Sequence, residues 1–114
     1  MLNGLHNKGE NEMNTYYRHG DVILEKMELP KNLEKTDETV LAYGEVTGHA
    51  HRLTGSDFEI YREPATKRRF LRVVKDTDLT HEEHHTRTIP PGTYEIRPTK
   101  EADHIQGIIR IVAD

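Results

Sequence analysis

Short runs in which apolar and polar residues alternate fill much of this chain. The alternation is clearest at residues 58–62 (FEIYR) and 93–97 (TYEIR), each bounded by turn-forming residues or a proline. Because successive side chains of a strand point to opposite faces, this pattern predicts strands with one buried face. No stretch shows the longer repeat that would predict a long amphipathic helix.

The same reasoning predicts about eight short strands separated by turns. They are expected at residues 15–20, 21–27, 39–46, 58–62, 69–74, 93–97 and 107–112, and around residues 49–53 after a bulge at Gly48. Residues 31–38 are charged and predict a surface loop, and residues 100–104 predict a single helical turn. The pattern is typical of an all-β fold, here a single-domain small barrel or a jelly-roll-like sandwich. Residues 1–14 predict a flexible tail and residues 15–114 the single β domain.

The composition limits what the chain can bind. Apolar residues make up 33% and charged residues 32% of the 114 positions, so the core must be thin. The sequence contains no cysteine, which leaves imidazole and carboxylate as the ligands for any transition metal. A net charge of −4 argues against general binding to nucleic acid. No apolar run approaches the roughly 20 residues that cross a bilayer, so we expect a cytoplasmic protein without a membrane segment.

Eight histidines are many for a chain of this length, and two of them form an H-x-H pair. His49 and His51 lie two residues apart in a predicted strand, so both rings are expected on the same strand face. Two neutral imidazoles on one face can share a divalent metal, and a third ligand would leave a position open for water or substrate. A surface pair beside a turn is the alternative. His19 and His104 stand alone near turns and are expected to be surface residues.

A second cluster, His81-Glu82-Glu83-His84-His85, also matches the pattern H-E-x-x-H. Zinc proteases place that pattern on a helix. This segment follows an Asp-Thr-Asp turn and leads into β-branched residues and Pro-Pro-Gly, so we reject the protease interpretation. In an extended or turn conformation, this segment is predicted to share a metal with the H-x-H pair through His81 and one of His84 and His85. We take His84 as the candidate ligand. Glu82 or Glu83 would then be a further ligand or the general base that polarises bound water. A solvated loop is the alternative.

The motifs resemble two kinds of known protein. Gly-Asp-Val-Ile-Leu, Gly-Glu-Val-Thr-Gly-His-Ala-His, His-Glu-Glu-His and Ile-Pro-Pro-Gly-Thr-Tyr-Glu-Ile are similar to motifs of small uncharacterised bacterial and phage proteins, which implies no established activity. The H-x-H pair, the later histidine and the short strands resemble a minimal cupin. That resemblance implies a jelly-roll-like architecture with His49 and His51 as paired metal ligands. Where a cupin has a glutamate, this chain has Thr54, Gly55 and Ser56, so the resemblance does not extend to a four-ligand site.

Two functional hypotheses follow from the sequence. The first is a soluble β domain that binds a divalent metal (zinc, iron, nickel or manganese) at a histidine-rich site, as a small metal-dependent hydrolase acting on a small-molecule ligand. The second is a non-catalytic phage or bacterial structural or interaction protein that forms a homo-oligomer, since a thin core gains stability from association. The sequence leaves open whether the protein is an enzyme. Anion binding by Arg62, Arg68, Arg69 and Arg72 is a third hypothesis.

Overall fold

The structure, a computed structural model, describes residues 15–44, 46–98 and 110–112, and in these ranges it contains eleven strands and no helix. The strands are β1 (Thr15–His19), β2 (Val22–Lys26), β3 (Glu34–Lys35), β4 (Val40–Tyr43), β5 (Ala50–Leu53), β6 (Phe58–Arg62), β7 (Arg69–Val73), β8 (Thr77–His81), β9 (His84–Ile89), β10 (Gly92–Pro98) and β11 (Arg110–Val112). The prediction of an all-β fold is confirmed. The described ranges hold no helix with the length and hydropathy needed to span a membrane.

The strands form two sheets that stay open at their edges. The larger sheet has the order β11-β1-β2-β10-β7-β6-β3, and the smaller has the order β4-β5-β8-β9. Neighbours among β1 to β10 run antiparallel, and β11 runs parallel to β1. Because each sheet keeps two edge strands of its own, the architecture is sandwich-like, and the alternative of a closed barrel is not adopted.

One apolar core lies between the sheets. The larger sheet contributes Val22, Leu24, Ile60, Leu71, Val73 and Tyr94, and the smaller sheet contributes Leu41, Leu53, Leu79 and Ile89. All ten side chains are at most 5% exposed. Burying side chains of this size contributes about 1.5–3 kcal/mol each, so this core is the main force that holds the smaller sheet against the larger one.

The four arginines considered for anion binding each face a carboxylate of the chain. The pairs are Arg62 and Arg69 with Glu38, Arg68 with Glu95, and Arg72 with Glu59. The contact between Arg69 Nη2 and Glu38 Oε1 is 2.7 Å. Partial burial alone would raise the pKa of Glu38, but the hydrogen bonds and charges of its two arginines outweigh burial and lower that pKa. The charges of these arginines are therefore compensated within the chain.

Some elements differ from the sequence-based prediction. The expected surface loop at residues 31–38 contains β3, which pairs with β6. The Asp-Thr-Asp turn expected at residues 76–78 is instead the start of β8, which begins at Thr77 because this segment pairs with both β5 and β9. The predictions for residues 1–14, for a helical turn at 100–104 and for His104 lie outside the described residues.

Candidate metal centre

The β5 strand carries His51 into the interior. Along β5, His51 and Leu53 face inward, whereas Arg52 between them faces solvent. His51 is only 1% exposed, an unusual environment for an imidazole. His49 lies just before the strand begins, in the segment that follows the turn at Gly48. The two histidines of the pair therefore occupy different local environments despite their spacing.

The second histidine cluster forms a β-hairpin. Strands β8 and β9 are joined by the two-residue turn Glu82-Glu83, and His81 pairs directly with His84 across it. The two rings lie 4.7 Å apart between centroids. This strand–turn–strand geometry differs from the helix that an H-E-x-x-H protease site needs, in agreement with our rejection of that interpretation.

Three histidines from neighbouring strands converge on one point. The His51 ring centroid lies 4.3 Å from that of His81 and 5.7 Å from that of His84. One nitrogen from each of the three rings lies within 4.8 Å of the other two. Nitrogens that share a zinc ion at about 2.0–2.1 Å each must come within about 4 Å of one another, so binding requires only a small closure of the rings. A site of three imidazoles is therefore within reach of this geometry.

His19, expected to be a surface residue, is buried beside this site, and that prediction was wrong. Its side chain is 1% exposed because β1 turns it into the interior. His19 Nδ1 lies 2.8 Å from His51 Nδ1, and His19 Nε2 lies 2.9 Å from the backbone oxygen of His85. A chain of hydrogen bonds thus runs from the backbone of β9 through His19 to His51.

His51 keeps one ring nitrogen unpaired. Its Nδ1 is occupied by His19, whereas its buried Nε2 has no hydrogen-bond partner among the described residues. Burial, and to a smaller extent the neighbouring His19, His81 and His84 rings, together lower the pKa of His51 to about 4. The ring is therefore neutral at pH 7, the form that binds metals. A buried polar atom without a partner is uncommon in folded proteins and calls for an explanation such as an unoccupied ligand contact.

Two glycines leave room for the rings. A Cβ on Gly20 would lie 2.5 Å from His84 Nε2 and 2.9 Å from His51 Cε1, and a Cβ on Gly44 would lie 3.1 Å from His81 Nε2. Gly20 also has a φ of +58°, which side-chain-bearing residues rarely adopt. These backbone segments form the walls of the histidine cluster, so the identity of both residues follows from the space that the rings require.

The hairpin turn makes a contact that a metal would disturb. The backbone N–H of Glu83 donates to His81 Nδ1 at 3.0 Å. In the neutral ring the proton then resides on Nε2. A metal at Nδ1 would replace this N–H, and a metal at Nε2 would move the ring proton to Nδ1, which could then no longer accept. Binding through either nitrogen of a neutral His81 therefore breaks this hydrogen bond.

The remaining predicted site residues lie on one side of the cluster. His49 Nδ1 lies 3.1 Å from Glu83 Oε2, although the angle does not suit a hydrogen bond. Together with His81 and Glu82, His49 forms a second group whose potential ligand atoms approach within 4.8 Å. Glu82 Oε1 accepts a hydrogen bond from the Ala50 N–H, which lowers the pKa of its carboxyl group. That carboxylate is thus partly committed to holding the turn against β5.

A small cavity opens beside His81 and His84, two of the three converging rings. It has a volume of about 180 Å³, and its lining consists of Asp21, Gly44, Val46, His49, His81, Glu83 and His84. Two carboxylates, Asp21 and Glu83, therefore face the same space as the histidines. Asp21 also acts on His51 electrostatically, raising its pKa against the larger effect of burial.

Sequence reasoning missed three contributors to this site. His19, Gly20 and Asp21 are consecutive at the turn between β1 and β2, and the chain topology brings that turn to the histidine cluster. The sequence feature that marks this part of the site is the succession of a histidine, a glycine and an aspartate at a predicted turn. This pattern predicts only a surface turn, because contact between the two sheets is not visible in the local sequence.

One of the three comparisons with known proteins identifies a family. The chain matches the family model described as Domain of unknown function (DUF8820) over residues 18–99, a range that includes every side chain of the candidate centre. No curated protein and no solved structure matches it. The bacterial or phage origin and the cupin resemblance stay predictions. Since the match covers most of the chain, this protein belongs to the DUF8820 family.

Proposed function

We propose that this protein binds one divalent transition metal through His51, His81 and His84. The observation that carries the proposal is the buried Nε2 of His51, which has no partner in the described chain and belongs to the ring that meets the other two. Leaving such an atom unpaired costs about 1–3 kcal/mol, and a metal bond would remove that cost. Imidazole suits zinc, iron and nickel, while manganese prefers oxygen ligands, so zinc is the first metal to test.

The test uses a matched pair of histidine variants of untagged protein. His84→Ala removes a ligand of the proposed site, whereas His85→Ala removes the adjacent exposed ring, which belongs to neither group of potential ligands. We expect isothermal titration to give one zinc per chain for the wild type and for His85→Ala. His84→Ala should bind at least tenfold more weakly. Equal affinity of the two variants, or no binding by the wild type, would contradict the proposal.

The chemistry that we propose for the site is hydrolysis by metal-bound water. Three protein ligands leave a coordination position open, and a bound divalent metal lowers the pKa of its water to about 7. Glu83 lines the cavity beside the histidines and its carboxylate is more than half exposed, so we propose it as the general base. Glu82 was the other candidate base, but its contact with Ala50 favours a role in holding the turn.

A cavity of this size restricts the substrate. A volume of about 180 Å³ corresponds to a handful of water molecules, each of which takes about 30 Å³ in the liquid. We therefore propose that the reacting part of the ligand is small and that any larger remainder extends into solvent. Because the two carboxylates that share the cavity with the rings offset the charge of a bound divalent metal, a neutral reacting group is favoured over a charged one.

Hydrolytic activity is tested on zinc-loaded protein with a panel of small activated carboxylic esters and neutral phosphotriesters. Glu83→Gln removes the proposed base, and the exposed Glu34→Gln on β3 is the matched control. General base catalysis contributes typically 10²–10⁴-fold, so Glu83→Gln should lower kcat within that range while zinc affinity stays unchanged. Zinc binding with no turnover of any substrate would instead favour a structural metal that pins the β8–β9 hairpin to β5.

A further inference from the structure

Among the described residues of the larger sheet, only His19 forms a hydrogen bond with the His51 ring. The other nitrogen of the His19 ring contacts the backbone carbonyl of His85. The distances are 2.8 Å from His19 Nδ1 to His51 Nδ1 and 2.9 Å from His19 Nε2 to the His85 oxygen. Both imidazoles are 1% exposed, so water does not compete for these contacts. We call the hydrogen-bonded chain from the His85 carbonyl through His19 to His51 the relay. Its carbonyl is the only group with a fixed role, because a carbonyl oxygen can only accept a hydrogen bond.

The carbonyl determines the direction of every hydrogen bond in the relay. His19 Nε2 must carry a proton in order to donate to the His85 oxygen, so in the neutral ring His19 Nδ1 is an acceptor. The proton between the two rings must then belong to His51 Nδ1. In neutral His51 the lone pair is left on Nε2, the nitrogen without a partner.

The reverse direction is much less favourable. If His19 Nδ1 donated to His51, the His19 ring would need protons on both nitrogens and would carry a buried positive charge beside three other imidazoles. His51 Nε2 would then hold an unpaired buried N–H. Both features cost free energy, whereas the forward direction pairs every donor of the relay.

We propose that His19 is a positioning residue that fixes His51 in the tautomer that leaves the lone pair on Nε2, the ring nitrogen that His19 does not hold. The effect on metal affinity rests on the proposed function, while the tautomer itself does not. Hydrogen bonds to the outer nitrogen of a metal-binding imidazole fix its tautomer and orientation, and losing them typically costs 10–100-fold in metal affinity. His19 thereby links the larger sheet to a site built on the smaller one.

The direct test is the tautomer of His51 in metal-free wild-type protein at pH 7, read by long-range ¹H–¹⁵N NMR of the histidine rings. We expect a proton on Nδ1 and none on Nε2, the opposite of the tautomer that free histidine prefers in water. A His51 ring protonated on Nε2 would overturn the proposal. This measurement needs no variant and therefore does not depend on whether a substitution folds.

Two substitutions then separate positioning from simple packing. His19→Leu fills space but offers no acceptor, and His19→Asn places an amide oxygen where Nδ1 stood. We expect His19→Leu to shift His51 toward the Nε2–H tautomer and to bind zinc 10–100-fold more weakly, with partial recovery of both readouts in His19→Asn. Wild-type affinity in His19→Leu, or equal losses in both variants without a change of tautomer, would refute the role of His19.

The two proposals fail in different ways. If the wild type binds no zinc but its His51 tautomer depends on His19, the proposed function is wrong and the relay stands. If the wild type binds zinc through His84, and His19→Leu binds it equally well with an unchanged His51 tautomer, the relay is wrong and the proposed function stands. The tautomer and the zinc affinity, measured on the same proteins, therefore decide each question separately.

Discussion

Gly20→Ala is expected to disrupt the histidine cluster through a single added methyl group. The new Cβ would lie 2.5 Å from His84 Nε2 and 2.9 Å from His51 Cε1. Ordinary contacts between such atoms are about 3.5–4.0 Å, so one ring or the turn must move by about 1 Å. Functional sites tolerate displacements of only about 0.5 Å. The displacement therefore exceeds what a three-histidine metal site can absorb.

The backbone contributes a second, separate cost. Gly20 has a φ of +58°, and a residue with a Cβ pays roughly 1–2 kcal/mol in that conformation. Gly55→Ala is the matched control, because Gly55 has a φ of +79° and a Cβ there meets nothing within 4 Å. The control reports the backbone cost alone, and the difference between the variants reports the contact with the rings.

Urea unfolding and zinc titration measure the two effects. We expect Gly55→Ala to lose roughly 1–2 kcal/mol of stability and to keep wild-type zinc affinity. Gly20→Ala should lose more stability than the control, and its zinc affinity should fall roughly tenfold or more. If Gly20→Ala binds zinc as tightly as Gly55→Ala, the rings do not occupy the positions that this account assigns to them.

Four further outcomes are expected. The folded-state pKa of His51 is lowered to about 4, so the unfolded chain takes up the proton first as pH falls below 6.5. Metal-free protein should therefore lose up to about 3 kcal/mol of its free energy of unfolding between pH 6.5 and 4. Urea titrations that show no such loss would contradict this. The lowered pKa of Glu38 gives stability that is present above the unfolded pKa and is lost as pH falls through the folded value. Glu38→Gln should therefore flatten the loss of stability at acid pH. An unchanged pH profile would count against the pairing of Glu38 with its arginines. Zinc should break the bond from Glu83 N–H to His81, seen as faster amide exchange at Glu83, and full protection in the zinc form would argue against ligation by His81. Leu79→Ala, at a fully buried core position, should cost about 2–5 kcal/mol in urea unfolding, and a cost below 1 kcal/mol would mean that the sheets do not meet there.

Local patterns predicted most of the fold because they depend on neighbouring residues. The alternation at residues 58–62 gave the bounds of β6, and the turn after His19 separates β1 from β2 as expected. The short strand β3 was missed because Glu34 and Lys35 are exposed and carry no apolar alternation. It exists because β6 offers a free edge, which is a property of the tertiary structure rather than of the segment.

The candidate site was predictable in part for the same reason. The sequence predicts an extended or turn segment that presents His81 and His84 together, and the structure brings both rings together across the β8–β9 hairpin. The role of His19 depends on the packing of one sheet on the other, with a separation of 32 residues from its partner. No local pattern reports such a contact, so a lone histidine beside a glycine predicts a surface residue.

The most direct measurement is a crystal structure of zinc-soaked protein with anomalous data at the zinc edge. This account predicts one anomalous peak about 2.0–2.1 Å from ring nitrogens of His51, His81 and His84, with Nε2 as the His51 ligand. A peak among His49, His81 and Glu82 instead, or no peak near any of these residues at saturating zinc, would contradict it.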